Sequence, residues 1–100
     1  MVQINWTLQS LEDIESIAEF IAKDSFKYAQ LQVISFFEEV EKLKSYPKIG
    51  RSVREFKNPN IRQLLSGSFR IIYFVKSKDQ IDILTVYHSK RKLNRKALNK

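Results

Sequence analysis

Six basic side chains of this 100-residue sequence could take part in chemistry: Arg51, Arg54, Arg62, Arg70, His88 and Arg91. An arginine can hold a phosphate and stabilise the extra negative charge that develops on it, while a histidine moves a proton near neutral pH. Arg and His together can therefore cleave RNA without a metal. Arg70 opens the segment FRIIYFVK (69–76) and His88 closes IDILTVYH (81–88), so a meander can bring these two ends near each other. The plainer reading, favoured on spacing alone, pairs Arg70 with a carboxylate such as Glu55 and lets His88 merely end a strand. Other chemistries lack the residues they need. One His and no Cys argue against a zinc site, a thiol nucleophile or a disulfide framework. Two glycines, at 50 and 67, cannot make a phosphate-cradling loop, and one His supports no nucleophilic triad. Glu38, Glu39 and Glu41 stand among Lys42 and Lys44 as a solvated helix face. No metal and no cofactor are expected.

The elements that must position these residues are legible from periodicity. Val2, Ile4 and Trp6 alternate with polar residues, which predicts a short strand. From Ser10, a plausible N-cap, the period changes: Leu11, Ile14, Ala18, Ile21 and Ala22 fall on one helical face, with Ile17 beside them. Glu12, Asp13 and Glu15 suit the start of that helix. KDSFK (23–27) breaks the pattern, and Ser25 can cap a second helix. Its stripe is Ala29, Val33, Phe36 or Phe37, Val40 and Leu43, and Pro47 stops it. So short a link makes the two helices an antiparallel hairpin. Tyr28, Phe36 and Phe37 are expected in the core.

After Pro47 the pattern is that of strands. A turn around Gly50 leads to a short strand from Val53 to Phe56, and then to strands over 61–65, 69–76 and 81–88, joined by Ser66-Gly67-Ser68 and Ser77-Lys78-Asp79. The expected fold is α+β: an N-terminal strand and an antiparallel helical hairpin packed on one face of a small antiparallel sheet. Ile72 and Phe74 share one face of the central strand; Ile71, Tyr73 and Val75 share the other. The hairpin can cover only one of them, so the second face is expected to take the C-terminal segment or another chain.

Composition bounds the rest. A chain with 43% hydrophobic and 29% charged residues is neither disordered nor low-complexity. No apolar run is long enough to span a bilayer, and MVQINWTLQS lacks the layout of a signal peptide, so a soluble cytoplasmic domain without a membrane partner is expected. The net charge of +7 is polarised: residues 1–50 carry five basic and eight acidic side chains, and residues 51–100 carry thirteen and three. Such a basic half attracts nucleic acid, an acidic protein segment or an anionic surface, although it can also be a solubilising tail.

In order and spacing, Trp6, LEDIESIAEFIAKDS (11–25), Ala29, YPKIGRSV (46–53), IRQLLSGSFRIIYFV (61–75) and VYHSKRKL (86–93) resemble the RelE/ParE superfamily of type II toxin–antitoxin toxins, and most of all its ParE-like branch. The resemblance spans residues 2 to about 93, giving a single toxin domain over 1–93 with a basic tail over 94–100. Phe26 stands where ParE-like members commonly carry a proline. RelE-like members are ribosome-dependent ribonucleases, whereas ParE-like members inhibit DNA gyrase. Arg70 and Arg91 match the two arginines of the RelE pattern, but Ile61 and Gln63 fall on its lysine places and no Tyr follows Tyr87. A His followed three places later by an Arg, as in His88 and Arg91, occurs in both branches.

The resemblance therefore implies a plasmid-stabilisation-type toxin that inhibits gyrase, is not an enzyme, and is neutralised by a cognate antitoxin in a hetero-oligomer. The alternative is a ribosome-dependent mRNA endonuclease whose catalytic residues are Arg70, His88 and Arg91, with ribosome and mRNA as partners. A third class is a toxin-derived DNA-binding or structural domain. Antitoxin or target is expected to bind Arg51, Arg54, Arg62, Ile72, Phe74, Lys90, Arg91 and Lys92.

Overall fold

The computed structural model describes residues 2–90. Strand β1 (Gln3–Trp6) leads into helices α1 (Leu8–Ala22) and α2 (Phe26–Glu41), and a 3-10 turn, Lys42–Lys44, closes the second helix. Strands β2 (Arg51–Ser52), β3 (Ile61–Ser66), β4 (Phe69–Ser77) and β5 (Gln80–His88) follow. The sheet order is β1-β5-β4-β3-β2. β2 to β5 pair antiparallel, while β1 lies parallel to β5 at the edge, so the sheet is mixed rather than wholly antiparallel.

The first helix begins at Leu8, not after Ser10. The Thr7 hydroxyl is tied to the sheet, donating to the Ile83 carbonyl at 2.6 Å, and also accepts from the Ser10 amide at 3.2 Å. One residue thus anchors the strand end and caps the helix. Ser10 lies buried inside the helix, its hydroxyl donating to the Thr7 carbonyl at 2.7 Å. Ser25 caps α2 as expected, accepting from the Tyr28 amide at 3.2 Å.

The main core lies between hairpin and sheet. Ile14, Phe36, Val40 and Leu43 meet Leu64, Ile71, Tyr73, Val75, Ile81, Ile83 and Val86. Phe36 is fully buried and meets Phe69 edge-on at 5.6 Å between ring centroids. Two aromatics expected in this core lie outside it. Phe37 is 42% exposed and leans on Trp6 at 4.7 Å, and Tyr28 is exposed on the hairpin surface. Leu11, expected on the inward face of α1, is also exposed.

The second sheet face carries its own cluster, in which Val53, Ile72, Leu84 and Tyr87 are buried with Phe56, Ile61 and Phe74 against them. The segment after β2 supplies Val53 and Phe56. It forms no strand over 53–56, because its residues turn across the sheet instead of pairing with it. The chain therefore covers the central part of this face with its own loop. Ile72 is fully buried and offers a partner nothing, contrary to its expected binding role; Phe74 is partly buried in the same cluster.

One irregularity decides which way the end of β5 points. Tyr73 pairs with Ile83 but Ile72 pairs with Thr85, so Leu84 is an extra residue, a bulge. The Asp13 carboxylate serves the β5 edge just beyond β1, accepting from the Val86 amide at 3.0 Å and from the Thr85 hydroxyl.

Candidate functional site

A one-residue bulge moves every following side chain to the opposite face. After Leu84, Val86 and His88 face the hairpin, while Tyr87 joins the second face. Arg70 pairs across from Tyr87, and Phe69 across from His88. Arg70 and His88 thus sit near each other along the sheet but on opposite faces.

On the hairpin side, the His88 ring meets Phe69 edge-on at 5.5 Å, and its Nδ1 accepts from the Lys90 amide at 3.1 Å. It stands at the mouth of a cleft of about 460 Å³ that includes Asp13, Ser16, Phe20 and Phe69. No arginine of the described residues lines this cleft.

On the other face, the Arg70 side chain is only 15% exposed. Its Nε donates to Gln63 Oε1 at 2.5 Å, its guanidinium lies 5.2 Å from the centre of the Tyr87 ring, and an Nη stands 3.8 Å from Glu55 Oε1. The Glu55 pairing anticipated from sequence is present. It draws the covering segment toward the sheet, and the cation over the ring adds to that hold. Arg70 is therefore enclosed by its own chain. Burial pushes the Tyr87 hydroxyl's pKa up, the Arg70 charge pulls it back, and the Glu55 charge raises it again.

The remaining expected residues divide by exposure. Arg62 turns inward, donating to the carbonyls of Gly50 at 2.8 Å and Lys48 at 3.3 Å. Arg51, Arg54 and Lys90 are exposed. Arg91 and Lys92 lie outside the described residues. Among the described residues, no group of three His, Asp or Glu side chains could hold a metal, and no helix is long and apolar enough to cross a membrane.

Sequence reasoning missed two features that shape the site. One is Gln63, which fixes the Arg70 Nε; only its two-residue offset from Ile61 along a strand hinted at a cross-strand partner. The other is the Leu84 bulge, for which the unbroken apolar run of 81–88 carries no signal.

The family described as ParE toxin of type II toxin-antitoxin system, parDE, matches residues 4–93. The chain belongs to the ParE toxin family. It is the toxin of a type II toxin–antitoxin system. A solved structure titled "Chromosomal ParDE TA system from P. aeruginosa" shares the fold of this ParE-family toxin, with a TM-score of 0.72 at 22% identity over 90% of this chain and 98% of that one. No curated protein matches the sequence. The shared architecture is the hairpin on the five-stranded sheet, as the resemblance implied.

Proposed function

We propose that this toxin inhibits DNA gyrase and does not cleave RNA, and that a cognate antitoxin neutralises it. The observation that carries this reading is the separation of Arg70 from His88. A general acid–base pair must reach one phosphate, with the proton donor and the charge-stabilising arginine within a few ångströms of the same reacting group. Here Arg70 is spent on Gln63, Tyr87 and Glu55 on one face, and His88 sits against Phe69 on the other. Family membership supports the gyrase target. Purified toxin should block gyrase supercoiling or trap cleaved DNA, and should leave mRNA intact on programmed ribosomes. Cuts in the A-site codon that vanish in His88→Ala would overturn the proposal in favour of the endonuclease.

For the antitoxin, the exposed basic side chains Arg51, Arg54 and Lys90 attract an acidic segment, because arginine holds carboxylates bidentately. With Ile72 buried, the apolar part of that grip has to come from elsewhere on the toxin. Neutralising Arg51 and Arg54 together should lower the association rate with the antitoxin several-fold, and should flatten its dependence on ionic strength while changing dissociation little. Stopped-flow mixing at two salt concentrations measures both. An association rate indifferent to salt and to both charges would assign this basic edge to the toxin's target instead.

A further inference from the structure

The outward face of α2 is unusual for a small domain. Lys27, Leu31, Ile34 and Glu38 follow one another at spacings of four, three and four residues, which puts all four within about 60° of arc. Leu31 and Ile34 are 50% and 52% exposed, and among the described residues neither Lys27 nor Glu38 forms an ion pair. Beside the stripe runs a groove of about 690 Å³ floored by the small residues Ala18, Ala22 and Ala29.

The order of this stripe has a property that selects its occupant. It reads base, aliphatic, aliphatic, acid, and is symmetric about the midpoint between Gln32 and Val33. Two such helices crossing antiparallel about a two-fold axis at that midpoint set Leu31 against Ile34 of the partner twice, and Lys27 against Glu38 of the partner twice. An isologous interface requires this self-complementarity, in which each residue meets a partner residue that it meets again by symmetry. We propose that a second copy of this chain docks on the α2 face, with Leu31 and Ile34 as the apolar centre, the Lys27–Glu38 pairs at the two ends, and the groove beside α1 receiving the partner's aliphatic side chains. Ridges entering grooves are the ordinary way helices pack.

The toxin's own basic half does not compete for this face. Arg51, Arg54 and Arg62 lie on or beside the β2–β3 edge, which leaves α2 with its balanced pair of charges. The inference concerns assembly and is independent of the gyrase proposal.

Charge exchange tests it without touching the core. Sedimentation of the full chain should show a monomer–dimer equilibrium at micromolar to ~100 µM concentration. Lys27→Glu alone and Glu38→Lys alone should each weaken the dimer roughly ten-fold, because each places two like-charged pairs across the interface. An equimolar mixture of these two variants should recover a dimer, a heterodimer with both pairs restored. The double variant Lys27→Glu/Glu38→Lys should recover it as well. Ile34→Asp, at an exposed position, should leave the melting temperature unchanged and abolish dimerisation. A chain that sediments as a monomer throughout that range overturns the proposal. So does a dimer that ignores Ile34→Asp, or variants that fail to rescue each other. A monomer whose Ile34→Asp variant loses its co-purified antitoxin would give the face to an antitoxin helix.

Discussion

Replacing Phe36 with Ala should cost about 3–5 kcal/mol of stability, while the same change at the adjacent Phe37 should cost about 1 kcal/mol. The two positions look alike in sequence, since both follow Val33 at helical spacing. Phe36 is wholly buried between the hairpin and the sheet, with the Phe69 ring edge-on against it, so truncation leaves a cavity that the surrounding β-branched residues cannot close. Phe37 is 42% exposed and has the Trp6 ring as its main aromatic neighbour, so truncation removes one aromatic pair and little burial. A small domain holds only ~5–15 kcal/mol in total, so the Phe36 change takes a third or more of it. Urea denaturation of both variants at constant m-value reads the difference directly. Equal losses at the two positions would mean that α2 is rotated about its axis from the orientation described.

How much of this was legible in the sequence depended on whether local pattern or long-range register decided it. FRIIYFVK and IDILTVYH announced their strands through β-branched and aromatic residues, and Ser25 announced a helix start; both signals are local. The inward residue of a Phe-Phe pair is not, because a helix stripe about 100° wide accommodates either one. The cover over the second face was not legible either. Val53 and Phe56 lie in an aperiodic stretch, and only their landing on Ile72, Leu84 and Tyr87 shows their purpose. The parallel pairing of β1 depends on a partner more than seventy residues away, which a four-residue strand cannot name. The candidate site failed for a sharper reason. Without the bulge at Leu84, His88 would share a face with Arg70, as a regular meander implies. One extra residue in an otherwise uniform apolar run sends it to the hairpin side, and with it the geometry of a nuclease is lost.

The second large effect is expected at Gly50. A Cβ on Gly50 would sit 2.5 Å from the Gln63 carbonyl oxygen and 2.7 Å from the Tyr73 hydroxyl oxygen. The first is backbone in β3, where it belongs to the pairing with β2, and the second ends a fully buried side chain in the middle of the core. Neither can yield by rotating a flexible tip. Gly50→Ala should therefore cost about 3 kcal/mol, at the upper end of overpacking effects. Part of that loss comes through a hydrogen bond, since the Gly50 amide donates to the Tyr73 hydroxyl at 3.0 Å and Arg62 holds the Gly50 carbonyl. Tyr73→Phe leaves that amide buried without an acceptor and should cost about 1–3 kcal/mol. The double variant should lose less than the sum, because removing the hydroxyl also removes one of the two obstructions. The same hydroxyl sets an alkaline limit. Burial raises the Tyr73 pKa above its ordinary 10.0, opposed by the Gly50 hydrogen bond and the Arg62 charge, and Tyr87 is raised too. A tyrosine whose folded pKa exceeds its unfolded one holds its proton longer in the native state. Its contribution is complete below pH 10.0 and is lost as pH rises through the folded value. Denaturation midpoints should therefore fall from about pH 10 upward, and fall less steeply in Tyr73→Phe. If Gly50→Ala were neutral and the alkaline slope the same in Tyr73→Phe, the β2 edge that carries Arg51 would have to be anchored by something other than this contact.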